Sequence, residues 1–476
     1  MYMGEGVMKE ITLILHGWSD CSESFKDLKT FLIKNGIGTV DTIYYADYES
    51  REDNVTYEDI IDGLYDRFKE KGFIDKDGNR LVNLNVIVHS TGGLVIRHFI
   101  AEYYKDRIDK CPVKKIIMLA PANFGSPLAH YGKSLLGMVF KGRYKFGDMF
   151  EVGRRLLNGL ELASPYQWNL AHRDLLVEKP YYNRNQIQTF IFVGNKGYGG
   201  LRKLANKKGT DGTVVVSGTN LNPVKFILDF SKEGRPVDIY IKNYRYDTAF
   251  AVLKNYDHGS IVDDIRPNKR SQIGRLILKA LKIKDPDEYG KFKEELKKIT
   301  QNTFINKEIY QQFIIRAVDD HNVPVKDYTI EFFIYRLNKR YVKNGEYIKR
   351  NLSKEEENWS RKFHELITDE FHNNSTDPSF RRFIVGINRL KKEIKNCFYS
   401  LGSDIVLSMR IYVPRVDQGI YYETEKLKNI ILIKTKDGQI VNQKPSLFYP
   451  NTTTLIEMKI NRSTRYVTVG IKPRKH

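Results

Sequence analysis

One serine, one aspartate and one histidine, far apart in the chain, have the types that covalent acyl transfer needs: Ser90, Asp211 and His258. A serine hydroxyl is a weak nucleophile until a neighbouring base takes its proton, and that base must be oriented by a third group. Ser90 stands in "VNLNVIVHSTGGLV" (82–95), between a β-branched apolar run and a segment of helical period. His258 stands in "KNYDHGSIVDD" (254–264), shortly after a strand signal and beside Gly259. Asp211 stands in "GTDGTVVVSGTNL" (209–221), beside Gly212. Asp257, Asp263 and Asp264 lie close to His258 and are rivals for the place of the acid. His16 and His89 flank the same region and are expected to hold loops by hydrogen bonds, while His98 is expected in the core.

The elements that must position these groups follow from periodicity. Val86-Ile87-Val88 reads as a strand buried on both faces of a parallel sheet. Beyond Ser90 the period changes: Leu94, Val95, His98, Phe99 and Tyr103 share a helical face, with Arg97 and Glu102 directed elsewhere. A strand that ends at a serine and becomes a helix within a few residues needs a sharp turn, which Gly92 and Gly93 allow. Such a turn lifts the Ser90 hydroxyl above the sheet edge at a helix N-terminus, where backbone N–H groups face a developing negative charge.

Strand and helix signals alternate around this turn. "EITLILHG" (10–17), "GTVDTIYYADY" (38–48), "KKIIMLAP" (114–121) and "QIQTFIFVGN" (186–195) read as strands, and 22–36 and 56–72 as amphipathic helices. The expected architecture over 1–283 is therefore a mostly parallel sheet with helices on both faces. An apolar, glycine-interrupted insertion at 128–182 would either roof the site as a lid or pack as a helical excursion. A helical connector is expected over 284–305. From 306 to 476 the period switches to two, in strand runs that include "RRFIVGINRL" and "RYVTVGIKP", which predicts an all-β, sandwich-like domain with one helix near 353–372.

Composition narrows the partners. The net charge of +20 invites an anionic surface, but the basic residues are scattered and never interleaved with aromatics in a strip, so no specific nucleic-acid site is expected. Cys21, Cys111 and Cys397 are odd in number and lack metal spacing, which points to a reduced compartment and no disulfide framework. No cluster has zinc, calcium or phosphate-loop spacing, so no metal or cofactor is expected. Neither a signal peptide nor a transmembrane run is apparent, so the expected location is cytoplasmic, or reached by a leaderless route.

The same motifs resemble those of a known superfamily, the α/β-hydrolases. "VHSTG" (88–92) is similar to its G-x-S-x-G nucleophile elbow, with Val88 where the first glycine stands. "LILHGW" (13–18) resembles the H-G-x after the first central strand, and "LAPANFGSPLA" (119–129) the stretch that follows the elbow strand in lipases. "TDGTV" and "DHGSIV" resemble the acid and histidine loops, and the five motifs fall in order over roughly residues 10–265. The resemblance implies Ser90 as nucleophile, His258 as base, Asp211 as acid, and the backbone N–H groups of Trp18 and Thr91 as the oxyanion hole. It implies a lipase- or esterase-like serine hydrolase acting on carboxylic, preferably lipid, esters without a cofactor. Peripheral membrane contact would suit such an enzyme, and by analogy the C-terminal module would dock to membrane, colipase or another partner. An esterase or thioesterase for soluble acyl compounds, and a catalytically silent scaffold acting as a binding protein, are the alternatives. Oligomeric state is not set by any of these residues.

Overall fold

The structure is a computed structural model and describes residues 8–16, 22–44, 54–131, 154–200, 203, 206–230, 238–242, 247–337, 342–343, 346–347, 351–417, 419–427, 429–441 and 446–463. Trp18, Cys21, the middle of the 128–182 insertion (132–153) and the strand signal "RYVTVGIKP" lie outside the described residues. The chain divides into two compact units. The first comprises Met1–Pro223, Tyr244–Lys307 and Asn451–Thr453, and the second Val224–Asn243, Glu308–Pro450 and Thr454–His476.

The first unit is built on β1 (Glu10–His16), β2 (Thr39–Tyr44), β3 (Asn83–His89), β4 (Val113–Leu119) and β5 (Gln188–Gly194). Strands β6 (Val224–Asp229) and β7 (Asp238–Lys242) belong to the second unit, and β8 (Ala249–Leu253) completes the first sheet. Its order is β2-β1-β3-β4-β5-β8, and every neighbouring pair is parallel. Helices α1 (Ser22–Lys34), α2 (Tyr57–Glu70) and α3 (Gly92–Tyr103) pack around it. Because β1 has β2 on one side and β3 on the other, the connections diverge there. The carboxyl ends of β1 and β3 thus flank the crevice where open α/β sheets hold their reacting groups.

Local chemistry explains these elements. The central runs "NVIVH", "IIML" and "FIFVG" are buried on both faces. Helix α2 starts on a capping box in which Thr56 and Asp59 satisfy each other's backbone N–H. The outer edge of β8 would leave unpaired backbone groups, and the helix Pro286–Thr303 covers them. The Tyr289 hydroxyl accepts from the Ala249 N–H at 2.9 Å, Thr300 Oγ1 accepts from Val252 N–H at 3.0 Å, and Thr303 Oγ1 donates to the Val252 carbonyl at 2.8 Å. Residues 284–305, read from sequence as a connector, thus seal a sheet edge of the first unit.

Helix α3 departs from its expected amphipathic form. All ten residues from Gly92 to Ala101 are buried, Arg97 included. A guanidinium can be fully buried only with a charged partner, and Asp174, 77 residues away, supplies it. The described second half of the 128–182 insertion, with helices Arg154–Leu160 and Pro165–Asp174, packs on α3 through this pair.

In the second unit strands predominate, as the period of two predicts. A six-stranded sheet runs in the order 372–373, 380–386, 310–319, 453–460, β6 and β7, and a four-stranded antiparallel sheet in the order 329–336, 405–412, 430–436 and 439–441. Apolar side chains of both, such as Phe313, Ile315, Phe332 and Leu407, share one core. The unit is β-rich, and among the described residues it holds two α-helices: Lys354–Thr368 where expected, and Ile387–Leu401 where the sequence reading places only the strand "RRFIVGINRL". Among the described residues no helix is long and apolar enough to cross a membrane.

Candidate active site

Ser90 follows the last residue of β3 and has a φ of +52°. That left-handed conformation costs a non-glycine residue about 1–3 kcal/mol, so its surroundings must hold it there. They do so with three backbone bonds. Its N–H donates to Leu119 at 3.1 Å, and its carbonyl accepts from Gly93 at 3.2 Å and Ala122 at 3.0 Å. Gly93 is needed for a different reason. A Cβ there would lie 2.7 Å from Pro121 Cβ and 2.9 Å from Asn123 Oδ1, so any side chain would push α3 off the 121–123 loop. Thr91 then stands at the N-cap position of α3.

His258 comes from the loop after β8, and its backbone N–H donates to the Asp211 carbonyl at 3.0 Å. Its Nδ1 lies 3.0 Å from Asp211 Oδ2 and its Nε2 3.1 Å from Ser90 Oγ. An ionised carboxylate can only accept, so the proton belongs on Nδ1 and Nε2 is left to accept the serine O–H. The other oxygen, Asp211 Oδ1, accepts from the Thr213 and Val214 N–H groups at 3.0 and 2.8 Å. Ser90 is 6% exposed, His258 1% and Asp211 0%, so the two ionisable groups face each other out of water while the hydroxyl keeps some access.

The rivals are placed elsewhere. Asp257 Oδ1 accepts from the Gly259 and Ser260 N–H groups, opening the short helix Ser260–Asp263. Asp264 pairs with Lys269 and with the Tyr256 hydroxyl. Asp263 lies in the last turn of that short helix. His89 Nε2 meets the His258 carbonyl at 3.0 Å with the rings 4.6 Å apart, a contact of the loop-holding kind. His98 is buried in the α3 packing. His16 ends β1, and Trp18 lies outside the described residues.

Supports of the acid loop went unread in the sequence. The Tyr198 hydroxyl is 2.7 Å from Thr213 Oγ1, and Ser126 Oγ donates to the Thr213 carbonyl at 2.6 Å. Gly212, with φ +102°, lies under the Tyr198 ring, where a Cβ would come within 2.6 Å of Cδ2. Ser126 carried a signal in the "NFGSP" motif and Gly212 and Thr213 in "TDGTV", whereas Tyr198 lies in no motif. Among the described residues no group of three or more His, Cys, Asp or Glu is placed to hold a metal.

Comparison with solved structures gives a likeness that spans nearly the whole chain. The phospholipase PlaB from Legionella pneumophila matches over 98% of both chains, at 23% identity and a TM-score of 0.73. The same protein in complex with thio-NAD matches over 98% of both chains at 22% identity and a TM-score of 0.73. This chain has the α/β-hydrolase fold. At that identity the likeness is one of architecture, and it extends to the β-rich second unit as well as to the α/β-hydrolase sheet. No protein-family model matches the chain, and no curated protein sequence matches it. The α/β-hydrolase topology accounts for the meeting of residues 90, 211 and 258, because it brings the ends of β3, β5 and β8 to one rim of the sheet.

Proposed function

We propose that this chain is a serine hydrolase that cleaves carboxylic esters of lipids through an acyl-serine intermediate. The observation that carries the reading is the hydrogen-bonded relay from Ser90 Oγ through His258 to Asp211, on a strained turn between β3 and α3. Ser90 Oγ attacks the ester carbonyl carbon as its proton passes to His258 Nε2, and the carbonyl electron pair moves to oxygen. The backbone N–H groups of Thr91 and Trp18 are the donors assigned to that oxyanion. Collapse expels the alcohol, which takes the proton from His258 Nε2 and leaves an acyl-serine. Water, deprotonated by the same nitrogen, attacks the acyl carbon, and Ser90 Oγ departs with that proton returned from Nε2, releasing the carboxylic acid. Asp211 stays ionised throughout, fixing the tautomer and stabilising the imidazolium.

A lipid ester fits better than a soluble one on two grounds. The full-length structural likeness is to a phospholipase, and a net charge of +20 attracts anionic, lipid-bearing surfaces. In this reading the first unit performs the reaction, and the second is an accessory module of an enzyme that meets membranes peripherally.

A fluorophosphonate probe, followed by digestion and mass mapping, tests the nucleophile. A single adduct at Ser90, absent in Ser90→Ala, is the expected result. Hydrolysis of phospholipid vesicles and of p-nitrophenyl esters of rising chain length then reads the substrate class. Turnover unchanged in Ser90→Ala would overturn the mechanism, and a preference for short soluble esters would replace the lipase by an esterase.

A further inference from the structure

The core of the second unit is not filled. Between its two sheets lies a cavity of about 50 Å³, within a depression of about 540 Å³ when the space at its mouth is included. The exposed surface of its wall is wholly apolar. Phe313, Ile315, Phe383 and Val385 of the six-stranded sheet face Phe332 and Met409 of the four-stranded one across it, and all six are buried. Among the described lining residues only Leu432 and Phe448 are partly exposed, which places the mouth beside them.

The strand at that mouth is irregular. Along Ile430–Lys436, Ile433 pairs with Leu407 and Ile431 with the adjacent Ser408, so Leu432 is an extra residue with no partner opposite. Such a bulge re-aims side chains. Here it lets Ile430 and Ile433 enter the core while Leu432 packs against it at the rim.

We propose that this cavity binds the hydrocarbon chain of a free fatty acid. Protein interiors are packed to leave few voids larger than water, and one without polar groups stays dry and accepts apolar guests. The enclosed space of about 50 Å³ is well under the roughly 150 Å³ that holds an aromatic ring. It therefore takes the narrow end of an unbranched chain and not a ring. Beyond that enclosed space the depression opens to solvent, so the rest of the chain lies along its mouth. The carboxylate stays in water at Leu432 and Phe448, because the apolar wall offers an ion nothing. Met409, unbranched and adaptable, suits a guest of variable length. The identity of the guest rests on the ester-hydrolase reading, whose product is a fatty acid, whereas the site itself does not depend on it.

The test is a titration of the full-length Ser90→Ala protein with cis-parinaric acid, a fluorescent fatty acid, and its displacement by decanoate. Saturable binding of one equivalent is expected, weakened at least tenfold by Val385→Trp in the wall and by Leu432→Trp at the mouth. Leu432 is partly exposed, so its variant keeps the test alive if the wall variant does not fold. Absence of binding, or binding that both substitutions leave unchanged, overturns the proposal. A Leu432→Trp protein with a raised melting temperature and unaltered binding marks a packing void and overturns it too. Binding only to phosphatidylcholine vesicles, lost in Leu432→Trp, assigns the cavity to membrane lipid and overturns the free fatty acid. Lost binding in the Ser90→Ala protein, with Ser90 of the unsubstituted protein still labelled by fluorophosphonate, removes the cavity site alone. Binding there, without labelling of the unsubstituted protein, removes the hydrolase reading alone.

Discussion

Arg97 and Asp174 face each other with Nε 2.7 Å from Oδ2 and Nη2 3.0 Å from Oδ1, and neither side chain has any exposed surface. Burial works against the guanidinium charge, and the Asp174 carboxylate outweighs it, holding Arg97 above its ordinary value. The remaining bonds are also made: Arg97 Nη1 donates to the Asn123 carbonyl at 3.1 Å, and the Tyr182 hydroxyl donates to Asp174 Oδ2 at 3.1 Å. Removing one partner strands the other charge, so Asp174→Ala is expected to cost roughly 3–5 kcal/mol in urea unfolding. The double variant Arg97→Met, Asp174→Leu is expected to recover most of that loss. A single variant within 1 kcal/mol of the parent, roughly the worth of an exposed ion pair, would refute this account.

Asp211→Asn leaves the two bonds that Oδ1 accepts and turns an amide group toward His258 Nδ1. The favoured tautomer then reverses, and Nε2 carries a proton where it should accept one. The expected result is a fall in kcat of about 10⁴-fold with KM little altered. Fluorophosphonate labelling should slow in parallel. A fall of less than tenfold would point to another acid.

Tyr198 acts on the relay through Thr213. Tyr198→Phe keeps the ring over Gly212 and removes one hydrogen bond, worth roughly 1 kcal/mol, so kcat is expected to drop about fivefold with KM unchanged. Gly212→Ala should do more harm, since its Cβ meets the ring at 2.6 Å and its φ is +102°. Rates read with melting temperatures separate positioning from loss of fold. Equal kcat in Tyr198→Phe and the parent would show that the loop holds without the bond.

His98 is expected to make stability depend on pH. Burial, the largest influence, holds its pKa below the ordinary 6.5. Its Nε2 lies 3.3 Å from Arg173 Nη1, which can only donate, and its Nδ1 lies 3.1 Å from the Tyr166 hydroxyl, so the neutral ring is the one that fits. Below about pH 6.5 the unfolded chain binds this proton before the folded one does. Stability from this group is therefore complete above that pH and is lost as pH falls. Melting temperatures between pH 7 and 5 should decline more steeply in the parent than in His98→Gln. Parallel declines would remove the assignment.

What the sequence reveals and conceals follows from the range of the interactions. Ser90 was legible because strand, turn and helix are contiguous, and His258 and Asp211 because reacting groups in a parallel sheet come from strand ends. Arg97 was misplaced because its partner lies 77 residues on, in a segment whose packing no local pattern sets. The helix Ile387–Leu401 does carry a signal, with Ile387, Leu390, Ile394, Cys397 and Leu401 on one buried face. It was masked by the strand "RRFIVG" that runs straight into it. The pairing of β6 with the strand Thr453–Ile460 was invisible, since it joins residues more than 200 positions apart.

That pairing has a consequence for how the polypeptide can be dissected. The hairpin β6–β7 departs after the loop of Asp211 and the chain returns before that of His258, yet its sheet partner is the last described strand. A cut after residue 307 would leave β6 in one fragment and Thr453–Ile460 in the other, with the Asn451–Thr453 piece of the first unit carried away too. No single scission yields two self-sufficient halves, so expression of either half alone should give a protein with an unsatisfied strand edge.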